Sequence, residues 1–160
     1  MTVIPFAEYR PDISDFNGAG QYTADILNAF PQADGYGPVQ RLVGYTSSLG
    51  AACRGFFYAR KPDGSVQAFA GTSNQLLTLD NTANTWTNVS LGSTYAALSS
   101  NNNWQFVQFN KYVVAVQQNV PPQVYSVSTS TAFTTLSTDA PQSAYVTTVN
   151  RFLVLSGIIS

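Results

Sequence analysis

The chain has no histidine and a single cysteine. Without an imidazole there is no histidine general base, no Ser-His-Asp triad and no histidine-ligated metal. One thiol excludes an intramolecular disulfide and a cysteine-built zinc site. Beside Ala51 and Ala52, Cys53 reads as a small core hydrophobe. Charge is scarce too: 9% of residues are Asp, Glu, Lys or Arg, against about 25% in an ordinary soluble domain. Disorder does not follow, because 44% of residues are hydrophobic and the net charge is only -1, whereas disorder needs low hydrophobicity with high net charge. At that net charge no basic field marks a nucleic-acid binder. No apolar run reaches the roughly 18 residues of a membrane span. The start, Met1 to Phe6, lacks the basic and apolar regions of a secretory leader.

Ser, Thr, Asn and Gln fill the place of the missing charge. The remaining charge is uneven. Five of the eight acids (Glu8, Asp12, Asp15, Asp25, Asp34) lie in the first 34 residues, and after Asp80 only Lys111, Asp139 and Arg151 are charged. A free monomer relies on surface charge for solubility. A nearly neutral half therefore predicts a surface meant for contact, or a secreted or particle-bound protein.

Residues 1–47 read as an extended N-terminal arm. Pro5, Pro11, Pro31 and Pro38 interrupt any long helix, and Gly18, Gly20, Gly35 and Gly37 mark turns. Within it, Thr23 to Phe30 has two readings: one or two helical turns capped by Thr23, or an extended piece whose Ile26, Leu27 and Phe30 anchor the arm on a neighbour. From residue 51 the grammar is all-β. Short β-branched and aromatic runs, separated by polar turns, predict strands at 54–60, 66–71, 76–80, 86–90, 105–109, 112–118, 124–128, 133–136, 145–149 and 152–155.

These runs repeat. YARKPDGSVQAFAG, FVQFNKYVVAVQQ and YVTTVNRFLVLSG are each a strand, a tight polar turn and a second strand, with turn positions Gly64, Asn110 and Asn150 spaced 46 and 40 residues apart. The first two are followed by two further strands. A four-strand unit recurring at about 40–46 residues is the signature of a β-propeller blade. A β-sandwich with look-alike hairpins is the alternative; the spacing and matching strand order favour the propeller. The expected fold is all-β, with residues 48–160 forming about two and a half four-stranded blades of an incomplete β-propeller. Because a closed propeller needs about four to eight blades, the chain is expected to be the N-terminal portion of a longer protein, or to be completed by other copies.

Few constellations suggest chemistry. Thr78-x-Asp80-x-Thr82-x-x-Thr85-Trp86 resembles the Asp-box turn of sialidase-like propellers, with one residue extra and no glycine; Asp80 and Trp86 are assigned a structural role in that turn. A glycosidase needs two carboxylates flanking a bond, yet the only glutamate is Glu8, in the arm. Asp15-x-Asn17-x-Ala19-Gly20 fails as a calcium loop, since Ala19 and Ile26 occupy ligand positions. No catalytic, cofactor or metal residue is assigned.

Several segments resemble the tail nozzle, or tail hub, proteins of short-tailed bacteriophages. They are Phe6 to Ser14, Asn28 to Pro38, Ala70-Gly71-Thr72 with Leu76 to Leu79, Trp104 to Val116, and Ala140-Pro141 with Tyr145 to Gly157. The similarity is scattered over nearly the whole chain and is not a tight motif. Family members are several times longer. The resemblance implies a non-enzymatic virion protein, a homo-oligomeric ring (usually a hexamer) below the portal and adaptor. Its propellers would surround a channel that retains packaged DNA and conducts it during ejection, without sequence-specific binding and without a membrane. It also implies that the arm docks on the adaptor or a neighbouring subunit, with Tyr9, Arg10, Asp12, Asp34, Tyr36 and Arg41 as candidates; the same residues equally suit turns of the arm. The competing classes are a receptor- or carbohydrate-binding propeller, which needs exposed aromatics beside Asn or Gln, and a sialidase-like enzyme, which needs clustered carboxylates and arginines.

Overall fold

The computed structural model describes residues 8–9, 11, 22–23, 27–32, 35–39, 41 and 43–159. It is all-β: the described residues contain fourteen strands and no helix. The chain forms two compact units, Met1–Val43 and Gly44–Ser160.

In the first unit, β1 (Glu8–Tyr9) pairs in parallel with β2 (Tyr22–Thr23), and β3 (Ala29–Gln32) pairs antiparallel with β4 (Gly35–Pro38). Where it is described, the Thr23 to Phe30 segment is not helical; Ala24 to Ile26 lie outside the described residues. Thr23 lies in a strand, Ala29 and Phe30 lie in another, and Asn28 takes a left-handed φ of 57° that ends any helical path. The carbonyl of Asn28 instead accepts the Val39 N–H at 2.9 Å, which closes the hairpin. Pro31 is tolerated because a two-stranded hairpin leaves edge positions that need no N–H. The arm is thus partly strand-paired rather than simply extended. Leu27 and Phe30 are exposed, and Ile26 lies outside the described residues.

The second unit holds two four-stranded antiparallel sheets and a hairpin. The first sheet runs β5 (Gly55–Arg60), β6 (Val66–Gly71), β7 (Leu76–Asp80) and β8 (Thr85–Asn88), paired in chain order. The second runs β9 (Gln105–Phe109), β10 (Tyr112–Gln117), β11 (Val120–Ser126) and β12 (Thr134–Thr135), again in chain order. The hairpin is β13 (Ser143–Val149) with β14 (Phe152–Ile158). Both sheets are meanders, because each connection is short enough to return beside the strand just laid down. The first strands sit side by side: β5 touches β9, and β9 touches β13. The described sheets do not close into a ring.

The turns explain the register. Gly64, Asn110 and Asn150 have φ of 84°, 55° and 54°, a region open to glycine and tolerated by asparagine. Asn110-Lys111 and Asn150-Arg151 each bridge strands whose flanking residues pair directly, Phe109 with Tyr112 and Val149 with Phe152. One strand begins earlier than its sequence suggests. β11 includes Pro121 and Pro122, which sit where the pairing with β10 slips between Ala115 and Gln117. At a bulge no N–H is required of them, so the prolines do not end the strand.

The core lies between the two four-stranded sheets. Ala59, Phe69 and Leu76 from the first meet Val113, Ala115 and Tyr125 from the second, with Phe133 from the segment just before β12. Phe69, Tyr125 and Phe133 form a three-ring cluster with centroids 5.1, 5.7 and 5.2 Å apart, a separation at which edge-on rings attract. Phe57 stacks on Phe106 at 6.0 Å. Trp104, 2% exposed, closes one end of this seam. Its indole N–H donates to the Thr72 carbonyl at 2.8 Å, and its backbone N–H donates to the Arg54 carbonyl at 2.7 Å. Gly71 makes room for it: a Cβ there would stand 2.6 Å from the indole Cγ.

Candidate functional site

Of the six arm residues expected to dock, the structure brings two together. Tyr9 and Tyr36 meet edge to face, with centroids 5.9 Å apart and planes at 80°. Both keep exposed surface. Arg41 is exposed. Arg10, Asp12 and Asp34 lie outside the described residues.

The Asp80 turn is local. Its carboxylate accepts the N–H groups of Thr82 at 2.8 Å and Ala83 at 3.2 Å, and these bonds, Thr82 first, hold its pKa below the ordinary 3.8. Trp86 projects the other way, since it pairs with Leu79 while Asp80 pairs with Thr85 and alternate strand positions take opposite faces. Its indole N–H donates to the Thr46 hydroxyl at 3.1 Å, and its ring meets Phe56 at 6.3 Å. Asp63, in the first hairpin turn, is similar to Asp80: the Ser65 hydroxyl (2.7 Å) and N–H (2.9 Å) lower its pKa.

Two faces of the second unit carry exposed large apolar side chains. On the first sheet, Phe56 and Tyr58 share a face with Ala70, Ala68, Leu77, Leu79 and Trp86 through the strand register. Tyr58 is 64% exposed there. At the other end, the face of the β13–β14 hairpin that carries Tyr145, Val149, Phe152 and Val154 is open, with Phe152 71% exposed. Rings in the core or in contact between sheets include Phe57, Phe69, Tyr95, Trp104, Phe106, Tyr125 and Phe133. Cys53 departs from expectation. It is exposed, because it precedes β5 in an irregular segment, and its thiol sits 3.3 Å from the Gly55 carbonyl.

Two recesses escaped the sequence reading. One is lined by Asn101, Asn102, Asn103, Gln105, Gln118, Ala144 and Tyr145. Asn102 donates to Gln118 at 2.5 Å across it. The Asn101-Asn102-Asn103 run was its only signal. The other, of about 260 Å³, is lined by Arg60, Lys61, Pro62, Gln108, Asn110 and Lys111. There the Gln108 amide accepts the Arg60 N–H at 2.9 Å and donates to the Arg60 carbonyl at 2.7 Å, imitating a strand partner. Neither recess contains a carboxylate. Among the described residues no group of three His, Cys, Asp or Glu is placed to hold a metal, and no helix is long and apolar enough to cross a membrane. No family model, curated protein or solved structure matches the chain.

Proposed function

We propose that this chain is a structural virion protein of a phage tail, part of a ring-shaped nozzle or hub below the portal and adaptor. In this reading the two meanders are blades of a β-propeller and the β13–β14 hairpin is the inner half of a third. The ring retains packaged DNA and conducts it during ejection. The supporting observation is the array itself: consecutive four-stranded meanders packed face to face, first strands adjacent, with a face carrying exposed large apolar side chains at each end. Radial blade arrays are built this way, and they leave no such faces once closed. The neutral strands suit a conduit, because every Lys or Arg contact to phosphate adds affinity and salt dependence. In the arm, Tyr9 and Tyr36 would dock on the adaptor or a neighbouring subunit, joined by Arg10, Asp12, Asp34 and Arg41.

Cryo-microscopy of the particle tests this reading: the copies are expected as a ring on the portal axis, and density elsewhere overturns it. The incomplete-propeller part has its own test. A purified chain that stays a compact monomer and melts cooperatively refutes it. A receptor- or carbohydrate-binding propeller is the second reading, favoured by the amide recess beside exposed Tyr145 and by the exposure of Tyr58 and Tyr112. Glycan-array binding that is lost in Tyr145→Ala would establish it.

A further inference from the structure

The second unit carries five cations, Arg54, Arg60, Lys61, Lys111 and Arg151. Four of them fall at the ends of three hairpins. Arg60 and Lys61 flank the first tip, Lys111 is in the second and Arg151 in the third. Arg54 alone stands at the opposite end, where its guanidinium donates to the Ser100 carbonyl.

The three tips emerge together because β5, β9 and β13 run in the same direction. At their starts, the Trp104 N–H bonds the Arg54 carbonyl, and Gln105 lines one recess with Ala144 and Tyr145. At the far end, the Gln108 amide grips the backbone of Arg60. The 260 Å³ recess between the first two tips therefore gathers Arg60, Lys61 and Lys111 around the side chains of Gln108 and Asn110. Two acids are present at this end: Asp63, already engaged by Ser65, and Asp80, in the neighbouring β7–β8 turn and engaged by Thr82 and Ala83. Four cations against two carboxylates leave a surplus of two positive charges, in a chain whose total is -1. Arg60, Lys111 and Arg151 are exposed and Lys61 is half-buried.

We propose that this rim of hairpin tips is a contact surface for the phosphodiester backbone of nucleic acid. Packed sheets stand about 10 Å apart, so successive tips present a row of cations at a spacing close to the ~12 Å width of a major groove. The side-chain amide of Asn110, beside the cations in the same recess, supplies N–H donors for phosphate oxygens, whereas the Gln108 amide is committed to the Arg60 and Asn110 carbonyls. No base-reading element accompanies them, so the contact is indifferent to sequence. The choice of nucleic acid as the ligand rests on the conduit reading; the existence of the basic rim does not.

The test is a titration of a labelled DNA duplex of about 20 base pairs with the full chain by fluorescence anisotropy, starting near ~20 mM salt, where phosphate contacts are strongest. The expected log–log salt slope is about -3, from three to four phosphate contacts at about -0.9 each. Replacing Lys61→Gln, Lys111→Gln and Arg151→Gln together is expected to weaken binding at least about tenfold and to flatten the slope by about 2 to 3. Arg54→Gln removes the same kind of charge at the opposite end and should change neither; circular dichroism confirms that each variant is folded. Absence of DNA binding at low salt overturns the proposal. So does a triple variant with unchanged affinity and slope, and so do phosphatidylglycerol vesicles that bind more tightly than DNA with the same dependence on the tips. DNA binding through the tips by a protein absent from the portal axis would remove the conduit reading and keep the rim. A portal-axis ring whose triple variant binds DNA normally would do the reverse.

Discussion

β10 and β14 occupy the same place in successive repeats. Each follows a two-residue tip made of asparagine and a cation, and each is rich in aliphatic residues. Their surroundings differ. In β10 every residue after Tyr112 is buried, whereas no residue of β14 is. The difference lies in what stands on either side. β10 belongs to a sheet flanked by the first sheet and by the β13–β14 hairpin, while that hairpin has a neighbour on one face only. Strand formation here is local, encoded by tip and alternation; burial is supplied by the next member of the array.

Truncating one ring at each place separates the two environments most widely. Phe133→Ala, in the three-ring cluster, is expected to cost about 3–5 kcal/mol in denaturant unfolding. Phe152→Ala, on the open face, should stay within about 0.5 kcal/mol. Equal costs would mean that something covers the β13–β14 face in solution. Next in size is Gly71→Ala, which drives a methyl group against Trp104 and should cost about 1–3 kcal/mol. An unchanged melting curve would show that the seam at Trp104 yields. Gln108→Ala removes the side-chain amide that links the first two tips. A loss of about 0.5–1.5 kcal/mol per hydrogen bond is the usual scale, and faster hydrogen exchange at the Arg60 amide should accompany it.

The smallest effect is pH-dependent. The pKa of Asp80 is lowered in the folded chain by the Thr82 and Ala83 N–H groups. Its contribution is therefore present above the unfolded value of 3.8 and is lost as pH falls through the lower folded value. The stability gap between the native chain and Asp80→Ala should be constant near neutrality and close in strongly acidic solution. A gap that widens on acidification would contradict the assigned bonds.

The parts of this fold that were legible were those with local causes. Gly64, Asn110 and Asn150 stand out as turn residues in sequence, and all three adopt the left-handed backbone that glycine and asparagine admit. The bounds of β6, β7 and β9 follow from alternation between such turns. Features that depend on partners were not legible. The bulge that admits Pro121 and Pro122 is a property of the pairing with β10. The exposure of Cys53 depends on an irregular lead into β5, and that of Tyr58 on the missing neighbour of the first sheet. The pairing of β3 with β4 ran against the usual meaning of Pro31. The candidate sites divide in the same way: the cations are plain in the sequence, but only the common direction of β5, β9 and β13 collects them at one rim.

The two open faces of the second unit are not alike. One presents aromatic rings over small alanines, the other a ridge of Tyr145, Val149, Phe152 and Val154. A stack whose front differs from its back has polarity, and polarity carries no chemical stop signal. Each added layer covers one such surface and offers another. Whether layers of this kind return to their starting point or climb as a screw is then decided by rotation and rise per step, and not by any residue at the boundary.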